Sequence, residues 1–310
     1  MNTNRRMRNR SLHLIALTVL LGFGAIQEVF GEAPVFEFEG AEAETYKTAS
    51  GDELKIYIFS PEDHDSDNDA RPAIVFFFGG GWNSGSPAQF EQHCRYLASR
   101  GMVAMTADYR VKKRQGTSPK ECVADGKSAI RWVRENAKRL GVDPERVAAG
   151  GGSAGGHVAA ATGMVEGYDD EADDLSVSSK ADALILFNPV YDNGPEDGWG
   201  HGRVEAYWES FSPAHNVSSN DPPAVVFLGS EDDLIPVSVA ERFQLRMEEV
   251  GLESELHVYE GEGHGFFNEK KGGPDVFKDT IRKMDAFLVG IGYLEGEGTG
   301  EQVEAVVGGG

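Results

Sequence analysis

Ser153 stands in Gly150-Gly151-Gly152-Ser153-Ala154-Gly155-Gly156-His157, between a short apolar run and the small-residue stretch HVAAAT. A serine hydroxyl is a weak nucleophile at neutral pH, and it attacks a carbonyl only when a base takes its proton and a carboxylate holds that base. The GxSxG spacing suits such a serine, because a sharp strand-to-helix turn leaves room only for glycine beside it and the helix behind points its N-terminal amides at the serine. These glycines would also make a plain turn or a phosphate cradle, but the companion residues of the nucleotide-binding fingerprints are missing.

The order nucleophile, acid, base places the partners downstream. Asp232 follows the apolar run AVVFLG in Gly229-Ser230-Glu231-Asp232-Asp233-Leu234, and His264 follows LHVY in Gly261-Glu262-Gly263-His264-Gly265-Phe266. Each lies just past the C-terminal end of an expected strand, where parallel-sheet sites collect. Glu231 and Asp233 compete with Asp232 for the acid's role. Of the other histidines, His93 falls inside an expected helix, His257 inside a strand, and His201 and His215 in a long insertion. His157 is expected to pack in the first turn of the helix after Ser153. Acyl transfer also needs backbone donors for the oxyanion of its tetrahedral intermediate, each worth on the order of 3 kcal/mol. Gly79-Gly80-Gly81-Trp82 after AIVFFF lets the backbone come that close, so the amides of Gly80, Gly81 and Ala154 are the candidate oxyanion donors.

The elements that must carry these residues alternate. Leu54, Ile56 and Ile58 alternate with polar residues, as in a strand with one buried face. Ala73–Phe78, Val103–Ala107, Arg146–Ala149, Ala183–Phe187 and Ala224–Leu228 are short continuous apolar runs, the signature of strands covered on both faces. Between them, Ser86-Pro87 and Ser118-Pro119 open helices that stop at Gly101 and Gly141, and Pro236–Val250 and Val276–Leu288 supply two more. This predicts an α/β fold with a mostly parallel sheet and helices on both faces. Glu166–Asp182 reads as a solvated acidic loop. The segment 192–219, with Trp199, Tyr207, Trp208 and Phe211, reads either as a lid or as a small satellite packed by its own aromatics.

The 310 residues carry 29 Lys plus Arg against 51 Asp plus Glu, a formal charge of -22 that argues against a nucleic-acid-binding face. A 40% hydrophobic content with 17 Phe, 9 Tyr and 4 Trp suffices for a real core. The start is locally basic, with four arginines and no acid in MNTNRRMRNR, and it precedes the apolar stretch Leu14–Ile26, which is shorter than the roughly 20 residues that span a bilayer. Residues 1–31 therefore read as a signal peptide cleaved before Glu32, with export to the periplasm or outside the cell and no stable membrane span after processing. The end, residues 294–310, is rich in Gly and Glu and is expected to trail as a flexible tail, leaving 42–293 as one domain.

Taken together, FGGGW, ADYR, AIRWVRENA, DPERVAAGGGSAGGH, GSEDDLIP and GEGHGFF resemble the α/β-hydrolase superfamily. The resemblance is to the branch of bacterial acetyl esterases, hormone-sensitive-lipase-like enzymes and feruloyl or acetyl-xylan esterases, and it spans roughly Glu42 to Gly292. It implies the α/β-hydrolase fold, with Ser153 as nucleophile, His264 as base, Asp232 as its orienter, Gly80, Gly81 and Ala154 as oxyanion donors, and no metal or organic cofactor. Two positions depart from the family pattern: Phe78 stands where a histidine usually precedes the glycines, and Gly152 where an aspartate often precedes the serine. Cys94 and Cys122 are expected on opposite faces of the sheet, as thiols rather than a bridge. The sequence reading is a serine esterase for a small-molecule or carbohydrate ester, with oligomeric state left open. Its rivals are a peptidase of the prolyl-oligopeptidase kind and a binding protein on the same scaffold.

Overall fold

The computed structural model describes Met1 and residues 36–308. The expected signal peptide, residues 1–31, lies almost wholly outside the described residues. Eight strands form one sheet: β1 (Glu42–Ala49), β2 (Asp52–Phe59), β3 (Arg71–Phe77), β4 (Val103–Ala107), β5 (Val142–Gly152), β6 (Leu184–Phe187), β7 (Ala224–Gly229) and β8 (Ser254–Tyr259). Their order is β1-β2-β4-β3-β5-β6-β7-β8. The pairs β1/β2 and β2/β4 are antiparallel, and the pairs from β4 through β3 to β8 are parallel. The helices are α1 (Glu91–Ser99), α2 (Lys112–Gln115), α3 (Pro119–Glu135), α4 (Ala154–Met164), α5 (His201–Val204), α6 (Trp208–Phe211), α7 (Val237–Glu249), α8 (Glu269–Gly290) and α9 (Gly300–Glu304).

Alternation along each strand builds two core layers. Val75 and Phe77 of β3 pack with Cys122, Val158 and Phe243 from α3, α4 and α7, while Ile74 and Phe76 pack with Cys94, Leu97 and Ile281 from α1 and α8. Burying each of these large side chains contributes about 1.5–3 kcal/mol. Both cysteines are buried free thiols, one in each layer, so the sheet separates them.

Three segments differ from expectation. β1 was not foreseen, because only Tyr46 along it is buried and no apolar alternation marks it. The acidic loop 166–182 is not simply solvated: Asp169 pairs with Arg131 at 2.6 Å, Asp170 with Lys47 at 2.6 Å, and Asp173 accepts from Ser128 and Arg131, so its carboxylates close a network over α3. The segment 294–310, expected to trail, docks as far as it is described. Thr299 and Gln302 form a capping box that starts α9, and Leu294, Val303 and Val306 enter the α1/α8 core layer.

Candidate active site

Ser153 closes the turn between β5 and α4 with φ 54 and ψ -119, a conformation a non-glycine residue holds only when its surroundings force it. The surroundings here are close backbone contacts. A Cβ on Gly155 would lie 2.0 Å from the Phe77 carbonyl oxygen, so α4 leaves the turn only because that position is bare. The Ser153 N–H donates to the Phe187 carbonyl at 2.9 Å, and the Val190 N–H donates to the Ser153 carbonyl at 3.1 Å. Both sides of the strained residue are therefore tied to the end of β6.

Past β7 and β8, the two downstream loops complete a chain of hydrogen bonds. Ser153 Oγ lies 2.8 Å from His264 Nε2, and His264 Nδ1 lies 2.8 Å from Asp232 Oδ2. The Asp232 carboxylate is fully buried, and its other oxygen accepts the Leu234 and Ile235 N–H groups at 2.9 and 3.0 Å. Glu231 and Asp233, the competing acids, are exposed, and the imidazole is joined to Asp232. A carboxylate so held fixes the proton of the neutral ring on Nδ1, which leaves Nε2 free to accept from the serine.

The glycine turn lies beside the serine. The Gly79 N–H is spent on Gln89 Oε1 at 2.6 Å, whereas Gly80 and Gly81, at φ 129 and 64, line the cavity with no partner for their amides among the described residues. Ala154 is the first residue of α4, so its amide has no intrahelical acceptor. Serine, imidazole and glycine amides thus converge on one cavity of about 420 Å³, walled by Trp199, Leu234, Phe267, Asn268 and Lys271.

The two departures noted in the sequence have structural counterparts. Phe78 stacks on Tyr109 with ring centroids 4.2 Å apart, and the Tyr109 hydroxyl donates to the Phe78 carbonyl at 2.6 Å, so an aromatic pair supports the glycine turn from beneath. Beside Gly152 the space is filled by Phe267, whose ring would lie 2.3 Å from any Cβ there. His157 packs as expected: it stacks on Phe211 at 4.4 Å with Nε2 3.2 Å from the Phe211 carbonyl, and burial depresses its pKa to about 3. His93 sits buried among Phe76, Phe90, Phe187, Phe267 and Phe277, its pKa likewise lowered to about 3 by burial. His201 and His215 bond within the insertion, to the Asn193 carbonyl and Ser212 Oγ, and His257 lies beside Glu255.

The insertion folds as an aromatic satellite. Trp199 and Phe211 lie 5.3 and 6.2 Å from Trp82, which follows the glycine turn, and Trp199 forms one wall of the cavity. Asn188, Gln89 and Lys271 were not singled out in the sequence, and Trp199 only as one of the insertion's aromatics. For Asn188 there was a signal, its place one residue beyond the apolar run Ala183–Phe187 at the C-terminal edge of the sheet.

The BD-FAE family profile matches residues 56–197, and that of the Dienelactone hydrolase family matches residues 201–289. Esterase 2 of Thermogutta terrifontis, solved in its apo form, superimposes with a TM-score of 0.80 at 46% identity over 84% of this chain and 98% of its own. This chain belongs to the α/β-hydrolase esterases. The same Thermogutta enzyme has been solved phosphorylated by paraoxon and with propionate bound. Among curated proteins, esterase LipC of Mycobacterium tuberculosis is 33% identical over 63% of this chain and 53% of its own length. Isoprenylcysteine alpha-carbonyl methylesterase ICME of Arabidopsis thaliana is 28% identical over 73% of this chain and 58% of its own length. The chain thus spans little more than half the length of these curated relatives. Among the described residues, no helix is long and apolar enough to cross a membrane.

Proposed function

We propose that the protein hydrolyses carboxylic esters of small acyl groups through an acyl-enzyme on Ser153. The observation that carries the proposal is the continuous chain Ser153 Oγ, His264, Asp232, with both hydrogen bonds at 2.8 Å. Ser153 Oγ attacks the ester carbonyl while His264 Nε2 takes its proton. The tetrahedral oxyanion is held by the amides of Gly80, Gly81 and Ala154. His264 returns the proton to the departing alcohol, and the C–O bond to the alcohol breaks. Water, deprotonated by the same nitrogen, then attacks the acyl-enzyme and releases the acid and Ser153. Asp232 keeps the ring in the productive tautomer and stabilises the imidazolium. No step calls for a metal or an organic cofactor.

A small acyl group is supported by the propionate and butyrate found in the Thermogutta relative, and the cavity lined by Trp199, Leu234 and Phe267 has room for one. For the alcohol, an acetylated polysaccharide or oligosaccharide fits the reading of residues 1–31 as an export signal, which would put the enzyme in the periplasm or outside the cell. The test is an ester panel on the protein from Glu32 onward. Acetate, propionate and butyrate p-nitrophenyl esters should turn over faster than octanoate, and acetylated xylan should release acetate. A preference rising steadily with chain length would reject the small-acyl assignment, and inert xylan would reject the carbohydrate one.

A further inference from the structure

Asn188 lies immediately beyond β6 at φ 33, one of five non-glycine residues described with positive φ, and it is completely buried. Its backbone N–H donates to the Phe227 carbonyl at 2.7 Å, which fixes it to β7. Phe187, the residue before it, and Val190, two residues after it, make the two backbone hydrogen bonds that hold Ser153. Its side chain turns the other way, to the histidine loop. Oδ1 accepts the Gly265 N–H at 3.0 Å, and Nδ2 lies 3.4 Å from His264 Nε2.

The orientation of the amide follows from chemistry. A backbone N–H can only donate, so the atom facing Gly265 is the oxygen and the atom facing the imidazole is the NH2 group. That group has no lone pair to offer a proton on Nε2. Besides Asn188, the groups around His264 are Asp232 at Nδ1, Ser153 Oγ at Nε2 and the Lys271 ammonium at the His264 carbonyl, 3.3 Å away. Among the described residues, Asn188 is thus the one side chain bonded to both the base's loop and its proton-accepting nitrogen, while Phe187 and Val190 brace the nucleophile.

We infer that Asn188 is a positioning residue for the reaction: it locks the turn carrying His264 through Gly265 and sets a donor beside the nitrogen that exchanges protons with Ser153. The inference rests on the roles proposed above for Ser153 and His264. A residue held at positive φ, buried, tied to β7 and bonded to two groups of the histidine loop is the kind of local strain that a fold keeps for a site. Asn tolerates that conformation better than other residues with a side chain, and no glycine could make the two side-chain contacts.

Two variants separate the two contributions. Asn188→Asp keeps an oxygen for the Gly265 N–H but replaces the donor by a carboxylate, which favours the charged imidazole. Its kcat/KM profile against pH for p-nitrophenyl acetate should therefore have its acidic limb moved to higher pH, by about one unit or more. Asn188→Ala removes both contacts, and should lower kcat by about tenfold or more with little change in KM, since misplacing a reacting group by an ångström costs rate rather than binding. Hydrogen exchange at the Gly265 amide should be slow in wild type and in Asn188→Asp and fast in Asn188→Ala. An acidic limb in Asn188→Asp that coincides with the wild type, or an unchanged kcat in Asn188→Ala, overturns the role. A Ser153→Ala protein with wild-type rate would instead remove the mechanism on which the inference rests.

Discussion

Arg203, on the short helix α5 of the insertion, donates a hydrogen bond at 2.6 Å to the carbonyl of Gly81, 122 positions earlier in the glycine turn. Its guanidinium also lies 4.8 Å from the Trp199 ring centroid, so one exposed side chain links the insertion, the cavity wall and the turn proposed to hold the oxyanion. The insertion therefore holds the backbone of that turn. Arg203→Met, which keeps much of the packing but none of the donors, is expected to lower kcat several-fold with KM little changed. Because the side chain is exposed, the thermal midpoint should stay within about 2 °C of wild type. A KM-only effect would show that Arg203 contacts substrate and does not hold the turn.

The identity of the acid is open to a direct comparison. Asp232 uses both carboxylate oxygens, while Glu231 and Asp233 face solvent. Asp232→Asn should lower kcat by about 10³–10⁴ because the imidazole loses its tautomer control. Glu231→Gln and Asp233→Asn should stay within about twofold, as surface changes away from special features usually do. A large loss in either of these with a small one in Asp232→Asn would transfer the role.

Acid lability follows from the two buried histidines. His93 and His157 have folded pKa values of about 3 because burial penalises the imidazolium, whereas an unfolded histidine titrates near 6.5. Between those values only the unfolded chain binds the proton. Stability is thus full above about pH 6.5 and falls as pH drops towards 3, by about 1.4 kcal/mol per pH unit for each histidine. Urea unfolding at pH 7, 5.5 and 4 should show a shallower decline for His93→Leu than for wild type. Parallel declines would mean that His93 is protonated in the folded state.

Removing the last segment tests its docking. A chain ending at Tyr293 loses the buried Leu294, Val303 and Val306 and the hydrogen bonds of Arg100 to the Glu295 and Gly296 carbonyls. Burial of two or three such side chains is worth about 3 kcal/mol or more, which corresponds to a fall in thermal midpoint of ~5–10 °C. The rate at 25 °C should not change. An unaltered midpoint would mean that the segment is not held in solution.

The parts of this architecture that were legible in the sequence are those whose cause is local. Continuous apolar runs mark β3 to β7, since a strand covered on both faces needs no alternation, and the glycines around Ser153 record the crowding at a strand-to-helix turn. His264 and Asp232 could be found because each follows a strand directly. Asn188 also follows a strand directly, but its partner lies 77 positions away and that of Arg203 122 positions away, pairings that no spacing rule encodes. β1 was hidden for the opposite reason, a strand so exposed that only Tyr46 is buried. In the final segment, Gly and Glu masked Val303 on α9 and Val306 just beyond it, although the Thr299–Gln302 cap was readable.

The central claim is that Ser153 is the nucleophile, and the most direct measurement is p-nitrophenyl acetate hydrolysis by wild type and Ser153→Ala, paired with labelling by a fluorophosphonate probe. Wild type should turn over the ester and take up the probe at Ser153, while Ser153→Ala should lose about 10⁵-fold or more in kcat and remain unlabelled. Equal rates in the two proteins, or labelling that persists without Ser153, would contradict the account.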